Sequence, residues 1–533
     1  MSSITGQPES QLLSRKSSGL VREIKFLDQA AFNAVSGPAQ AIIIFGLFGL
    51  VAFPGSNIYV VGAVAPALGF FVWATFALLT AAMPRLGGDY TFNSRILHPV
   101  LGLIGNVGEL ISATLGAGLW ASFLSTQALS PAFSVIGAVT GSQTLLDWGD
   151  FFSPTHRGVV FATAVIALAL TSVLALFGTR VVMRAMTVLF FVGVAGLLVS
   201  TLVLLFTSHS SFVDTVNEVG GANAYQRAAG TVDPVGHTLK ATLGGLYFWM
   251  TNAIWIWFGT YISSEFRGAG ARRRQLGAMV GTGVVQSLLI LLVVVVFLHT
   301  VGQDFLVASL NGEFAPAQGL IGTSSYVYLS ALVAGSDVIV VVIALAFLGW
   351  WLPGQYINQA MVQRALVTWS LDGLLPAGVS RVSHRTHTPV AAIAVTFLLT
   401  VGTAALATFY ASFSQIFVYI VLFGYLPILL VGISATVMKW RRPDLYRHSP
   451  AEWRVGGVEV LPLLGAGCAA VGAGLIGLAL WFHTELGIEH VWQPLLALSG
   501  LCLVCALWMA VARAVRREQG VDLSLVYREI PPE

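Results

Sequence analysis

Long apolar runs separated by short polar stretches organise this chain. A helix needs ~20 apolar residues to cross the hydrocarbon core of a membrane. Runs of that length recur twelve times, at about 29–53, 57–83, 100–130, 157–178, 185–207, 240–265, 276–301, 328–363, 388–409, 412–438, 460–482 and 493–512. The pattern predicts an all-α integral membrane protein of twelve transmembrane helices. Two runs carry polar interruptions. In the sixth, LGGLYFW meets Met250-Thr251-Asn252-Ala253 before resuming as IWIWFGTYISS. In the first, Asn33-Ala34-Val35-Ser36-Gly37-Pro38-Ala39 precedes AIIIFGLFGLVAF. Ser-Gly-Pro breaks a helix, because proline lacks an amide hydrogen and clashes with the preceding turn while glycine lets the backbone swing. Such an interruption is tolerated where it is buried in protein or faces a water-filled cavity. For the sixth run, a continuous helix with a satisfied Asn252 is the other reading. Interruptions in helices five apart point to a binding site at the interface of two repeats. The halves show no visible sequence identity, so the repeat rests on these breaks.

The basic residues test the count. With the N-terminus placed inside, 24 of the 27 Lys and Arg fall in cytoplasmic segments, leaving Arg157, Arg227 and Lys240 outside. Retention of positive charge on the cytoplasmic side produces this asymmetry, and a wrong helix count would scramble it. Four arginines, Arg267, Arg272, Arg273 and Arg274, cluster after the sixth run. The outer loops 131–156 and 208–239 read as mixed polar, and the inner loop 439–459 is the most charged stretch. The expected organisation is a cytoplasmic tail at 1–27, one membrane domain at 28–512 and a cytoplasmic tail at 513–533.

Composition agrees. The chain is 56% hydrophobic and 10% charged, with mean hydropathy +0.81, where a soluble domain carries roughly 25% charged residues. The net charge of +3 implies no nucleic-acid partner, since the basic residues sit in loops. The polar N-terminal stretch has no apolar h-region, so no cleaved signal peptide is expected. Cys502 and Cys505 are spaced as in CxxC but lie within an apolar run, as does Cys468, and read as small buried core residues. Most of the ten histidines lie in loops, and none makes a metal pair at helical spacing inside a span. No Walker loop, nucleophile elbow or cofactor motif is present. An enzyme or ATP-driven pump is therefore disfavoured, and no cofactor is expected.

Four stretches resemble the amino acid–polyamine–organocation (APC) superfamily of secondary transporters. Met83-Pro-Arg-Leu-Gly-Gly-Asp-Tyr90, followed by His98-Pro, resembles its Pro-x-x-Gly-Gly-x-Tyr segment. Ser264-Glu265-Phe266-Arg267 resembles Glu-x-Lys-x-Pro. Gln363-Arg364-Ala-Leu, Asp372-Gly373-Leu-Leu-Pro376 and Thr388-Pro389-Val-Ala-Ala392 resemble Arg-x-Leu, Asp-Gly-x-Leu-Pro and Thr-Pro-x-x-Ala. Arg441-Arg-Pro-Asp444 resembles the loop after the tenth helix. The resemblance implies a leucine-transporter-type fold: two inverted five-helix repeats (5+5) plus two C-terminal helices. Substrate would lie at mid-membrane between the broken first and sixth helices. There, half-helix amides suit a carboxylate and unwound carbonyls suit an ammonium. The implied substrate-binding residues are Ser36, Gly37, Pro38 and Ala39 on the first helix and Trp249, Thr251, Asn252 and Ala253 on the sixth. Trp249, beside the break, is the gate candidate.

The chain departs from the family where coupling is concerned. A lysine that some proton-coupled members carry in the fifth helix is absent; its place falls near Phe191 to Gly193. The eighth helix has no Ser or Thr from Val338 to Tyr356, which argues against the usual sodium site unless carbonyls freed by Pro353 and Gly354 compensate. Two carboxyls remain, Glu109 in the third helix and Asp337 near the outer end of the eighth. A carboxylate at mid-membrane costs ~2.5–3.5 kcal/mol on insertion scales and normally has a purpose or a partner. For Glu109, proton coupling, a structural hydrogen bond and a contact to the substrate amine are all open. Asp337 reads as an interfacial, solvated acid. Trp255 to Phe258 hold no acid, which favours a neutral or zwitterionic substrate. Trp249, Trp255, Trp257, Trp350 and Trp351 could instead cage an amine through cation–π contacts. The expected function is a permease in the plasma membrane, moving an amino acid or related organic amine by alternating access, with proton symport first. Exchange or facilitated transport, a polyamine or quaternary-amine carrier, and a membrane-embedded amino-acid sensor are the alternatives. Expected partners are the small-molecule substrate, the lipid bilayer and protons.

Overall fold

A computed structural model describes residues 20–37, 47, 49–233, 235–314, 323–410 and 413–529, with backbone only at 252, 323–325 and 413–415. Pro38 and Ala39 lie outside the described residues. Among the described residues, ten helical spans are long and apolar enough to cross a membrane: Ile58–Ala82, Pro99–Thr140, Arg157–Leu176, Thr179–Phe206, Arg272–Val301, Asp337–Leu371, Val390–Tyr410, Ile416–Arg441, Val460–Trp481 and Trp492–Glu518. The two further runs of the sequence pattern are the two with polar interruptions. One begins as α1 (Phe26–Ser36) and then passes into residues that are not described. In the other, neither helical stretch alone reaches a membrane-spanning length.

Five more helices position the site. They are α2 (Asp89–Ile96), α3 (Pro99–Phe123), α4 (Thr179–Phe206), α5 (Leu239–Ala253) and α6 (Trp351–Leu371), followed in the chain by α7 (Phe413–Arg441). Pro99 stands at the first turn of α3, where its missing N–H is no loss, and the His98 ring accepts the Val100 amide at 3.3 Å. Thr238 caps α5 by accepting the Ala241 amide at 3.1 Å.

The connections hold more structure than their polarity suggests. The expected loop 131–156 folds as helices Ser130–Thr140 and Gln143–Phe151, and 208–239 contains helices His209–Gly220 and Ala224–Ala229. The reason is amphipathicity: Phe212 and Val216, one turn apart, are buried, and Phe212 meets Phe305 edge-on at 5.7 Å. The loop 439–459 closes as a two-stranded hairpin, Arg454–Val455 against Val458–Glu459, turned by Gly456 and Gly457 at positive φ. Cys468 and Cys505 are buried as expected, whereas Cys502 is exposed, because it lies on the outward face of its helix.

The segments rich in Lys and Arg meet one another at one end of the bundle. Ile24 bridges Phe266 through its backbone, and Arg274 bonds Gln29 at 3.2 Å. Arg442 binds the carbonyls of Arg95 and Arg528, and Arg516 those of Gly373 and Leu375. Beside them Tyr527 fits a socket of buried side chains. Its hydroxyl lies 3.2 Å from that of Tyr90, and its ring lies under Arg95, which is itself paired with Asp372 at 2.7 Å.

Candidate functional site

The interruption in the first run is a helix end. Gly37 leaves helical geometry after Ser36 (φ −109°, ψ 67°), and the Ser36 hydroxyl donates back to the Phe32 carbonyl at 2.8 Å. The sixth run is built differently. Its backbone does not open at Met250–Ala253; the Ile254 amide still reaches the Met250 carbonyl. The winding then tightens into a 3₁₀ helix over Ile254–Glu265, with one non-helical residue, Ile262 (φ −109°, ψ 19°). No glycine or proline lies between Met250 and Phe258, so nothing there forces the chain out of helical space. Two 3₁₀ pieces joined at the Ile262 kink make a strained winding and mark a segment suited to move.

Between these two segments lies a cavity of about 50 Å³, enough for a few waters at ~10–15 Å³ of probe-centre volume each. Val35 and Ser36 at the end of α1 and Thr251, Trp255 and Phe258 of the sixth segment form one side. Ser112, Gly116 and Trp120 of α3, with Gly354 and Asn358 of α6, face them. Among the described residues, none that lines it is charged. The last carbonyls of α1 end here, and the negative end of a helix dipole favours a cation.

Of the residues singled out in the sequence, Ser36 and Thr251 line this cavity and Gly37 adjoins it. Thr251 donates to the Tyr247 carbonyl at 2.7 Å and lies 2.9 Å from the Tyr425 hydroxyl. The Ala253 carbonyl accepts from Trp73 Nε1 at 3.2 Å and faces away. Trp249 is buried beside Gly62, outside the lining. Asn252 lies on the helix, and nothing further is described of it.

The tryptophans do not form a cage. Trp255 lines the cavity and stacks on Tyr425 at 6.1 Å. Trp257 stacks on Phe76 at 4.3 Å, and Trp351 packs against Trp120 at 5.6 Å. The α3 and α6 walls were not anticipated from the sequence. A signal was present: Ser112, Gly116 and Trp120 recur every fourth residue, as do Gly354 and Asn358, and such positions share a helix face.

Trp350 packs against Gly193, in the region of Phe191 to Gly193 that the resemblance assigns to a fifth-helix lysine. Its indole donates to the Phe190 carbonyl at 3.0 Å and sets its Nε1–Cδ1 edge against Gly193 of α4, where an added Cβ would overlap the ring. Gly193→Ala is therefore expected to lower stability by about 1–3 kcal/mol, read as a fall in melting temperature; an unchanged melting temperature would contradict this packing. The eighth run breaks at Gly349–Trp350, between helices Asp337–Leu348 and α6. Pro353 and Gly354 lie in the first turn of α6, where proline, having no N–H to donate, is compatible with helix.

Glu109 is 1% exposed, and neither of its oxygens has a partner among the described residues. It borders a narrow void with Tyr261 and Met361. Asp337 is exposed at the start of its helix. Glu265 and Arg364, from two of the family-like stretches, form a buried two-pronged pair at 2.9 and 3.2 Å.

Comparison with curated proteins returned no match. Residues 29–510 match the family model described as amino acid permease. That match takes in every span named above except the end of the last, together with the cavity and the Glu265–Arg364 pair. The chain belongs to the amino acid permease family of the APC superfamily.

Proposed function

We propose that this permease moves a small neutral or zwitterionic amino acid across the plasma membrane by alternating access, coupled to protons, with both termini in the cytoplasm. The observation that carries the reading is the cavity where α1 ends. It offers the hydroxyls of Ser36, Ser112 and Thr251, the Asn358 amide and the terminal carbonyls of α1, and no charged side chain among the described residues. Carbonyls at a helix end suit the ammonium, and neutral donors suit the carboxylate. A cationic substrate would call for an acid in the wall, and a bulky one for more room than Trp120, Trp255 and Phe258 leave.

The coupling group is Glu109. A carboxylate buried with no cation and no hydrogen-bond donor carries the full penalty of its lost hydration. Binding a proton removes that penalty, and binding it from one side and releasing it to the other is what symport requires. The clustering of the basic segments at one end of the bundle supports placing that end, with both tails, in the cytoplasm.

Uptake by purified protein in liposomes tests this. An inward proton gradient is expected to drive accumulation of a labelled small neutral amino acid. Asn358→Leu raises KM by about tenfold or more, the value of one good hydrogen bond, with the melting temperature retained. Glu109→Gln abolishes gradient-driven accumulation while counterflow exchange persists. Accumulation by Glu109→Gln equal to that of the parent protein would remove Glu109 from the coupling, and selective uptake of diamines would overturn the substrate class.

A further inference from the structure

The turn after the second apolar run passes through Gly87 and Gly88, both at positive φ, a conformation that favours glycine. Thr260 closes on it: a Cβ on Gly88 would lie 2.6 Å from the Thr260 hydroxyl. The turn carries Asp89, the first residue of α2, into the protein, where it is fully buried. Its Oδ1 accepts from the Tyr261 hydroxyl at 2.5 Å and from Asn106 Nδ2 at 2.8 Å. Its Oδ2 faces Gly105 and has no side-chain partner among the described residues. One turn along α3 from Asn106 stands Glu109, beside the same Tyr261. Two buried carboxyls thus flank one tyrosine.

No described cation reaches Asp89 from the elements packed around it. On α2, Arg95 is paired with Asp372 and faces Tyr90 and Tyr527. On α6, Arg364 is paired with Glu265 of the 3₁₀ segment. From α7, Ser434 reaches Asn93 rather than Asp89, and Lys439 at its far end is paired with Glu459. From α3 and the 3₁₀ segment come Asn106, Glu109 and Tyr261.

We propose that Asp89 is a second proton-binding carboxyl of the transport cycle, and that its proton keeps Tyr261, and with it the basic end of the sixth segment, closed against α2 and α3. This rests on the proton-coupled reading above. With the proton on Oδ2 the carboxyl is neutral, and Oδ1 still accepts both hydrogen bonds. When the proton passes to water, a carboxylate remains that needs hydration, and hydration requires the 3₁₀ segment to swing away. Only the Oδ2–H bond breaks; Tyr261 keeps its hydroxyl proton.

Burial pushes the Asp89 carboxyl up to about 7, against the Tyr261 and Asn106 donors and the amides at the start of α2, which oppose it. A hydrated aspartate titrates near ~4. Because the closed form binds the proton more tightly, its advantage is complete below about pH 4 and is lost as pH rises toward about 7.

Hydrogen–deuterium exchange of residues 254–266, corrected for intrinsic rates, reads the closure. In the parent protein, protection is expected to fall by as much as about a hundredfold between pH 5 and pH 8. Asp89→Asn, neutral at every pH, flattens that profile and impairs proton-driven uptake. Tyr261→Phe removes a donor that favours the carboxylate and moves the midpoint to higher pH, which loss of a merely structural contact would not do. A pH profile in Asp89→Asn equal to that of the parent overturns the proposal, as does an unmoved midpoint in Tyr261→Phe should Asp89→Asn fail to fold. Loss of gradient-driven uptake in Glu109→Gln alone, with Asp89→Asn indistinguishable from the parent, sinks Asp89 and leaves the coupling reading intact. A flat profile in Asp89→Asn with Glu109→Gln fully coupled supports Asp89 and removes Glu109.

Discussion

Arg364→Met is expected to destabilise the protein by about 3–5 kcal/mol and to abolish uptake, because it strands a buried charge. Glu265 is 1% exposed at the end of the 3₁₀ segment, and both its oxygens are taken by the Arg364 guanidinium. The same guanidinium reaches Thr179 at 3.0 Å and Gln363 at 2.9 Å, so it ties the sixth segment to α6 and to the start of α4. Removing it leaves a carboxylate with neither water nor cation. The pair as a whole contributes far less than this, since its attraction largely offsets its lost hydration. The double variant Glu265→Gln/Arg364→Met therefore recovers most of the melting temperature. It does not recover normal transport, because the tie that closes the basic end of the sixth segment is gone. Thermal unfolding of the three proteins, followed by uptake in liposomes, checks both statements. Equal losses in the single and double variants would show that the pair's net attraction, rather than the stranded charge, carries the effect.

The second large effect is expected at Gly424, on α7. A Cβ there would lie 2.2 Å from the Trp255 ring and 2.9 Å from the Ser112 hydroxyl. The α7 backbone cannot retreat without unpacking Tyr425, whose hydroxyl holds Thr251. Trp255 is the neighbour with space beside it, and that space is the cavity. Gly424→Ala therefore trades overpacking strain of about 1–3 kcal/mol against room for substrate. We expect substrate affinity to fall by about five- to a hundredfold while the melting temperature changes little. Gly424→Ala/Trp255→Phe, with the smaller ring, should return affinity toward that of the parent. Binding measured calorimetrically decides the matter: full affinity in Gly424→Ala would mean that Trp255 does not bound the substrate space.

Much of the architecture is legible in the sequence because a membrane imposes length and charge rules that solvent does not. The apolar runs locate the ten long spans, and the basic residues identify the segments that gather at one end. The end of α1 is legible too, since Gly37 acts through the backbone and needs no tertiary context. The sixth segment misleads for the complementary reason. Thr251 and Asn252 are polar, but polarity alone does not break a helix, and the chain tightens its winding instead. Trp249 reads as a gate by sequence proximity, yet its direction around the helix takes it to Gly62. Asp89 is the clearest case of illegibility. In sequence it is one acid in a polar turn, and its chemistry depends on Tyr261, 172 positions away. The α3 wall lay between these cases, visible as a four-residue repeat that an apolar helix hides among its other small residues.

The Tyr527 socket bears on the order in which the molecule can be completed during synthesis. Arg95 and Asp372 pair as soon as α6 is in place, but one flank of that pair is covered by Tyr527, which is made only after all ten spans. Until the tail emerges and folds back, Tyr90 and Arg95 remain open to water on that side. The docking of Tyr527 thus reports that the spans before it are in position, and a nascent chain stalled short of Tyr527 presents a charged cleft that the docked tail covers.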